Sequence, residues 1–233
     1  MSAQFRSFLP ILAAGALAPA LILLYGAGFW MPSAHASEPA AMAPEPAPQG
    51  IVAGTDTAVF AGGCFWGVEA VFDHLEGVST AISGYAGGTL ASPSYEEVST
   101  GRTGHAESVM VVYDPARISY AQLLQVFFTV AHDPTQLDRQ GPDVGTQYRS
   151  AVFYRNEAQR KAAEQYLGKL RGAKIYRSPI VTEVTPLNGF NRAEDYHQNY
   201  LVHHPHQPYI VINDAPKLEE LRRRFPDLYR APA

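Results

Sequence analysis

The hydrophobic positions change period several times after Asp56, and each change marks an element. Residues 57–61 (Thr-Ala-Val-Phe-Ala) are a short apolar run stopped by Gly62-Gly63, which reads as a buried strand. Phe65, Val68, Phe72 and Leu75 then recur at helical spacing as one stripe, closed by Gly77. Residues 78–83 and 109–113 read as strands, the second ended by Asp114-Pro115. Ser119 with Gln122 makes a capping box for a helix carrying Tyr120, Leu123, Leu124, Phe127 and Phe128. Asn156 and Gln159 open another helix, expected to run to about Leu170 before Gly172. Strands are expected at 148–154 and 180–184, a helix at 193–202, and a last helix from Pro216 to about Phe225. Two stretches, 84–103 and 132–147, show no period, and loops that long inside a domain are usually functional. Short strands and helices interleave without strict β–α–β repetition, which predicts an α+β fold with helices packed on a small mixed sheet.

The front of the chain has a different character. Arg6 is the only charge before Glu38, a long apolar run follows it over residues 8–31, and Ala34-His35-Ala36 fits an A-x-A cleavage pattern. Residues 1–36 therefore read as a signal peptide or, if uncleaved, a membrane anchor, because the run is longer than most signal cores. The single positive charge at the start directs the rest across the membrane, so an exported, bacterial-periplasmic location is expected. Residues 37–55 are rich in Ala, Pro and Glu, too polar to bury surface, and read as a flexible tether. That leaves residues 56–233 as one domain.

Composition removes several classes of function. The 233 residues are 46% hydrophobic and 17% charged, an ordinary globular mix. Eighteen basic residues against 22 acidic ones give a formal charge of −4, so no basic face for nucleic acid is expected. Contact with a membrane is expected only through the N-terminal segment. One cysteine, Cys64, rules out an intrachain disulfide scaffold.

Cys64 follows Gly62-Gly63 and precedes the predicted helix. Unpaired N–H groups and the positive end of the helix dipole at such a junction stabilise a thiolate, and the glycines leave the sulfur accessible, so a lowered thiol pKa is expected. A cysteine-protease arrangement, Cys64 with His105 or His197 as base, shares that thiol but needs an imidazole in contact with it. His203, His204 and His206, with His197, form a tract that could bind metal, but Pro205 and Pro208 interrupt it and its spacing is not that of the common structural sites. No metal or cofactor is expected.

Gly63-Cys64-Phe65-Trp66-Gly67, Tyr95-Glu96-Glu97-Val98, Thr103-Gly104-His105-Ala106-Glu107 and Gly145-Thr146-Gln147-Tyr148-Arg149-Ser150 together resemble the A-class peptide methionine sulfoxide reductases. The resemblance covers residues 58–209 and implies a ferredoxin-like two-layer α/β sandwich with a coil-rich C-terminal extension. It implies that Cys64 is the nucleophile, attacking the sulfoxide sulfur of the S epimer and becoming a sulfenic acid. By the same match Phe65 and Trp66 form the apolar wall for the substrate methyl, and Glu107 protonates the departing oxygen. Tyr95 and Tyr148 hydrogen-bond that oxygen, and Asp143 helps hold the polar network. The chemistry is coherent, since sulfoxide oxygen leaves only when protonated and a buried, neutral carboxyl can donate where an ionised one cannot.

Asp195-Tyr196-His197-Gln198 matches another recurrent segment of that family, without a catalytic role assigned to His197. Many members carry further cysteines near the C-terminus that resolve the sulfenic acid as a disulfide. Here Ser99 stands where some have cysteine, and Tyr209-Ile210-Val211-Ile212-Asn213-Asp214 continues without one. Recycling then requires an external thiol, a thioredoxin-like protein or another thiol reductant, acting at Cys64 itself. Such a partner is expected over the 84–103 loop or the C-terminal coil. The expected substrates are oxidised proteins or peptides containing methionine sulfoxide.

Overall fold

The computed structural model describes residues 54–231. The expected leader, 1–36, and the expected tether up to residue 53 lie outside the described residues. In chain order, β1 (Asp56–Gly62), α1 (Phe65–Asp73) and β2 (Val78–Ala86) are followed by a short helix, α2 (Tyr95–Ser99). Next come β3 (Ala106–Tyr113), α3 (Tyr120–Val126), a two-residue hairpin pair β4 (Arg139–Gln140) and β5 (Asp143–Val144), and β6 (Ser150–Tyr154). A long helix, α4 (Glu157–Ala173), leads to β7 (Glu183–Pro186), β8 (Phe190–Arg192), α5 (Tyr200–His203) and α6 (Ala215–Arg224).

The sheet order is β7-β6-β1-β3-β2-β8. Its middle four strands are antiparallel and joined by helical crossovers through α1 and α3, the ferredoxin-like arrangement, while β6 and β7 run parallel. Alternation along each strand sorts the two faces. Ala58 and Phe60 of β1, with Val109 and Val111 of β3, meet Val68 and Phe72 of α1 and Leu123 and Leu124 of α3 in the main core. Val59, Ala61, Ala151 and Phe153 point the other way into a small cluster covered by Leu187 and Phe190. Phe60 is the hub of the main core. Its ring stacks 5.1 Å from Phe72 and 4.9 Å from Phe127, and each such pair adds about 0.5–1.5 kcal/mol beyond area burial.

Local chemistry explains the helix ends. Ser119 and Gln122 satisfy each other's backbone N–H groups at 3.2 and 2.9 Å, the capping box expected from sequence. The same device begins α2, where Ser94 Oγ accepts from the Glu97 N–H and the Glu97 carboxylate accepts from the Ser94 N–H. The 84–103 stretch is thus not loop throughout: β2 extends to Ala86 and α2 lies inside it. α4 continues past Gly172 and closes at Lys174, in left-handed backbone with φ of 50°.

The helix expected over 193–202 is broken, with one 3₁₀ turn at Asp195–His197 and the four residues of α5 in its place. Asn199 adopts φ of 52°, which interrupts any helix, and side chains take over the backbone pairing. Gln198 receives the Ser83 N–H on its side-chain oxygen at 3.1 Å and donates to the carbonyls of Ser83 and Ala193, each at 3.0 Å. Buried Glu69 of α1 accepts the Asn199 N–H and the Ser83 hydroxyl. The C-terminal coil is fastened to α1 and β2 by these contacts.

Candidate active site

Sheet register brings the first two site residues together. β1 and β3 pair with Phe60 opposite Val109, so two residues further Gly62 lies level with Glu107. Glu107 shares the parity of Val109 and Val111 and therefore enters the buried, helix-covered face, where it is 3% exposed. Cys64 is the N-cap residue of α1, and the next N–H, that of Phe65, donates to Glu107 Oε2 at 3.0 Å. The tight passage from β1 into α1 depends on Gly63, whose φ is +90° and where a Cβ would lie 2.4 Å from the Gln140 side chain.

Three loops complete the site. Tyr95, at the start of α2, is fixed through its N–H to Glu194 Oε1 at 2.9 Å, and Glu194 Oε2 receives the Tyr85 hydroxyl at 2.8 Å. Tyr148 lies in a 3₁₀ turn, Thr146–Tyr148, rather than in the strand expected from residue 148 onward. That turn is tied to α2 and its exit: Gln147 donates to the Ser99 carbonyl at 3.2 Å and Thr146 to the Gly101 carbonyl at 2.8 Å. Arg149 reaches the Gly104 carbonyl at 3.0 Å, joining the turn to the start of β3. Asp143, on the β4–β5 hairpin, accepts a hydrogen bond from the Tyr209 hydroxyl. Cys64, Glu107, Tyr95, Tyr148 and Asp143 thus share one electrostatic neighbourhood, each of the two tyrosines feeling the other three groups.

Phe65 and Trp66 form an aromatic wall beside the thiol. Phe65 is buried between Tyr85 and His197, at centroid distances of 5.9 and 4.9 Å. Trp66 is half-buried, stacked on Tyr200 at 3.7 Å, and its indole N–H donates to His197 Nδ1 at 3.1 Å. Tyr209 meets it edge-on at 5.9 Å. His197, Tyr200 and Tyr209 support this site, although the sequence offered His197 only as a base or metal ligand and gave the two tyrosines no role. For His197 the Asp195–Gln198 segment was a signal; the other two are contacts across more than 130 residues.

Electrostatics correct one expectation. The Cys64 thiol is pushed well above its ordinary value, mainly by burial, then by the charges of Glu107 and Asp214. The backbone N–H of Trp66 and the Lys217 ammonium act in the opposite direction but do not prevail. The sulfur is also not openly accessible, as Cys64 is 9% exposed. The helix N-terminus stabilises a thiolate as expected, but desolvation outweighs it. Burial also pushes Glu107 up to about 8, with Asp143 and Asp214 adding to the shift and the Phe65 N–H opposing it. At neutral pH Glu107 is therefore mostly a neutral acid, and its repulsion of a thiolate is correspondingly small. Burial, then the Glu107 charge, raises both Tyr95 and Tyr148, which remain hydroxyl donors.

Neither candidate imidazole serves Cys64. The His105 ring is engaged by the Gly88 N–H and the Leu90 carbonyl, and the His197 ring accepts the Trp66 indole N–H at Nδ1, neither one bonding the thiol. Among the described residues no cluster of three or more His, Cys, Asp or Glu is arranged to hold a metal ion. His203, His204 and His206 are exposed.

A buried thiol at a strand–helix junction, beside a neutral carboxyl and an aromatic wall on a ferredoxin-like sheet, defines a thiol-dependent oxidoreductase rather than a protease. The family model for peptide methionine sulfoxide reductase matches residues 56–228. The peptide methionine sulfoxide reductase MsrA 2 of Mesorhizobium japonicum is 56% identical over 176 residues, 76% of this chain and 90% of that protein. Its Synechocystis counterpart is 48% identical over 178 residues, covering 76% and 83%. Among solved structures, reduced Mxr1 of Saccharomyces cerevisiae matches with a TM-score of 0.60 and 35% identity, covering 66% of this chain and 87% of that one. Methionine sulfoxide reductase A of Corynebacterium diphtheriae gives 0.58 and 41%, covering 66% and 78%. The chain belongs to the peptide methionine sulfoxide reductase family.

Proposed function

We propose that the chain reduces the S epimer of methionine sulfoxide, in oxidised proteins and as the free amino acid, with Cys64 as nucleophile. The observation that carries this is the neutral carboxyl of Glu107, anchored on the N–H of the residue next to Cys64 and pushed up to about 8. The substrate methyl lies against Phe65 and Trp66. Tyr95 and Tyr148 donate to the sulfoxide oxygen, and Asp143 and Tyr209 hold the network in place. As the thiolate attacks sulfur, Glu107 protonates the oxygen, and the S–O bond breaks as water leaves and a Cys64–substrate S–S bond forms. Water then attacks the Cys64 sulfur and breaks that bond, releasing the thioether, reduced by two electrons, and leaving Cys64 oxidised to the sulfenic acid. The thiol proton returns to Glu107 over the cycle, so the first half-reaction consumes none.

Regeneration takes two equivalents of an external thiol. The first attacks the sulfenic acid and releases water as a mixed disulfide forms; the second releases Cys64 and leaves with the oxidised donor. A thioredoxin-like protein, approaching over the 84–103 segment or the C-terminal coil, suits a chain with one cysteine. Residues 1–36 would export the enzyme, so the donor must be supplied on the outer side of the membrane. Turnover of separate sulfoxide epimers with a panel of thiol donors tests activity, epimer and donor together. Absence of turnover on the S epimer with every donor would overturn the proposal, and protease protection of the cell-associated protein tests export.

A further inference from the structure

α1 passes the thiol with a gap in its side. Gly67 stands one helical turn after Cys64 and is buried; a Cβ there would lie 2.0 Å from Asp214 Oδ1 and 2.7 Å from Lys217 Nζ. The gap is filled by those two groups, which come from the C-terminal segment packed on α1. Asp214 is completely buried, its Oδ1 accepts from Lys217 Nζ at 3.1 Å, and its Oδ2 has no partner. A carboxylate buried with half its acceptors unpaired is costly, and hydrophobic residues could fill the gap without that cost. Ordinary packing does not account for the pair.

We propose that Lys217, seated by Asp214 in the space that Gly67 leaves on α1, is a positioning residue whose ammonium favours the thiolate of Cys64. Apart from Lys217, the groups that face the thiol are acids or phenols. Glu107 comes from β3, Tyr95 from α2, Tyr148 from its 3₁₀ turn, and Asp214 and Tyr209 from the C-terminal segment, with Asp143 of the hairpin acting on Glu107 and the three tyrosines. His132, behind Gly62, is buried and pushed down to about 4, so it is uncharged at neutral pH. Lys217 thus offsets part of the burial of the thiol, while Asp214 anchors it and, as an anion, works against the thiolate. Of the two, the carboxylate acts more strongly on the thiol: without it the ammonium would be more effective, and without the ammonium a buried anion would face the nucleophile alone.

This deepens the assignment of Cys64 as nucleophile, and the test is separated from it by reading thiol ionisation instead of turnover. The chain has one cysteine, so the pH dependence of iodoacetamide alkylation reports Cys64 alone. Asp214→Asn keeps the volume and the acceptor for Lys217 but removes the anion. Alkylation at pH 7 is expected to become about tenfold faster, the equivalent of one pH unit in the profile. Adding Lys217→Gln to Asp214→Asn should slow it again by a comparable factor. Should the buried amide unfold the chain, Lys217→Gln against the unaltered protein carries the test, with slower alkylation expected. Profiles that coincide within a factor of two would overturn the proposal. Loss of all reductase activity in the same variants with shifted profiles would leave it standing, whereas full activity in Cys64→Ser would instead remove the assignment of the nucleophile.

Discussion

Replacing Glu107 by Gln separates two effects of one buried acid. The carboxyl is raised from 4.5 to about 8 because folding takes it out of water. A group raised on folding contributes its full stability below the unfolded value and loses it as pH climbs through the folded one. Glu107 should therefore weaken the fold increasingly between pH 4.5 and 8. At pH 7 the proton it retains only in the folded state corresponds to about 2.5 pH units, or about 3 kcal/mol. Glutamine has the same shape, still offers an oxygen to the Phe65 N–H, and does not titrate. The variant should match the wild type within about 1 kcal/mol at pH 5 and exceed it by about 3 kcal/mol at pH 7, the gap widening by about 1.4 kcal/mol per pH unit. Urea unfolding of both proteins at pH 5, 6, 7 and 8 measures this. Buried Glu69, pushed up to about 7, tilts both curves equally and cancels in the difference. In single-turnover reduction the same variant should be slower by about 10²–10⁴, the usual worth of general acid assistance. Parallel stability curves would refute the neutral buried acid, and an undiminished rate at pH 7 would show that Glu107 is not the proton donor.

Cys64→Ser should abolish sulfoxide reduction, since no second thiol stands in for it; activity within tenfold of wild type would mean another nucleophile. One equivalent of S-sulfoxide without reductant should leave a monomer heavier by one oxygen, seen by intact mass spectrometry and trapped by a sulfenate probe; a Cys64–Cys64 dimer would instead indicate resolution between two copies. Phe60→Ala should cost about 3–5 kcal/mol in denaturant unfolding, because the ring it removes is stacked on both Phe72 and Phe127.

The parts of the site that were legible in the sequence are the parts governed by local chemistry. Gly62-Gly63-Cys64 announced a strand-to-helix junction because glycine is what such a turn requires, and the capping box at Ser119 located α3. α2 carried the same mark at Ser94 and Glu97, hidden inside a stretch whose lack of period suggested only loop. Family motifs named Glu107, but its place beside Phe65 is a consequence of β1–β3 register, which pairing across some fifty residues decides. The helix expected over 193–202 does not form as one element because Asn199, Gln198 and Glu69 contacts override propensity there. The thiol shows the same limit. A helix N-terminus is visible in one dimension, while burial of the thiol and the acids brought to it by β3 and the C-terminal segment, which reverse its effect, are not.

Gln198 has a meaning beyond fastening the coil. β8 pairs with β2 only from Gly84 to Ala86, so the rung at Ser83 lies just past its end, at the outer margin of the sheet. The Gln198 carboxamide supplies both a donor and an acceptor to that rung, as a peptide group of a neighbouring strand would. The side chain thereby completes a rung that the backbone only half covers, where the Ala193 N–H reaches the Ser83 carbonyl at 2.9 Å. An unpaired sheet edge is a template for any extended chain, and peptides are what this family's name says it acts on. An enzyme that handles them has reason to close its own margin, so that such a segment is drawn to the sulfur and is not captured as an extra strand.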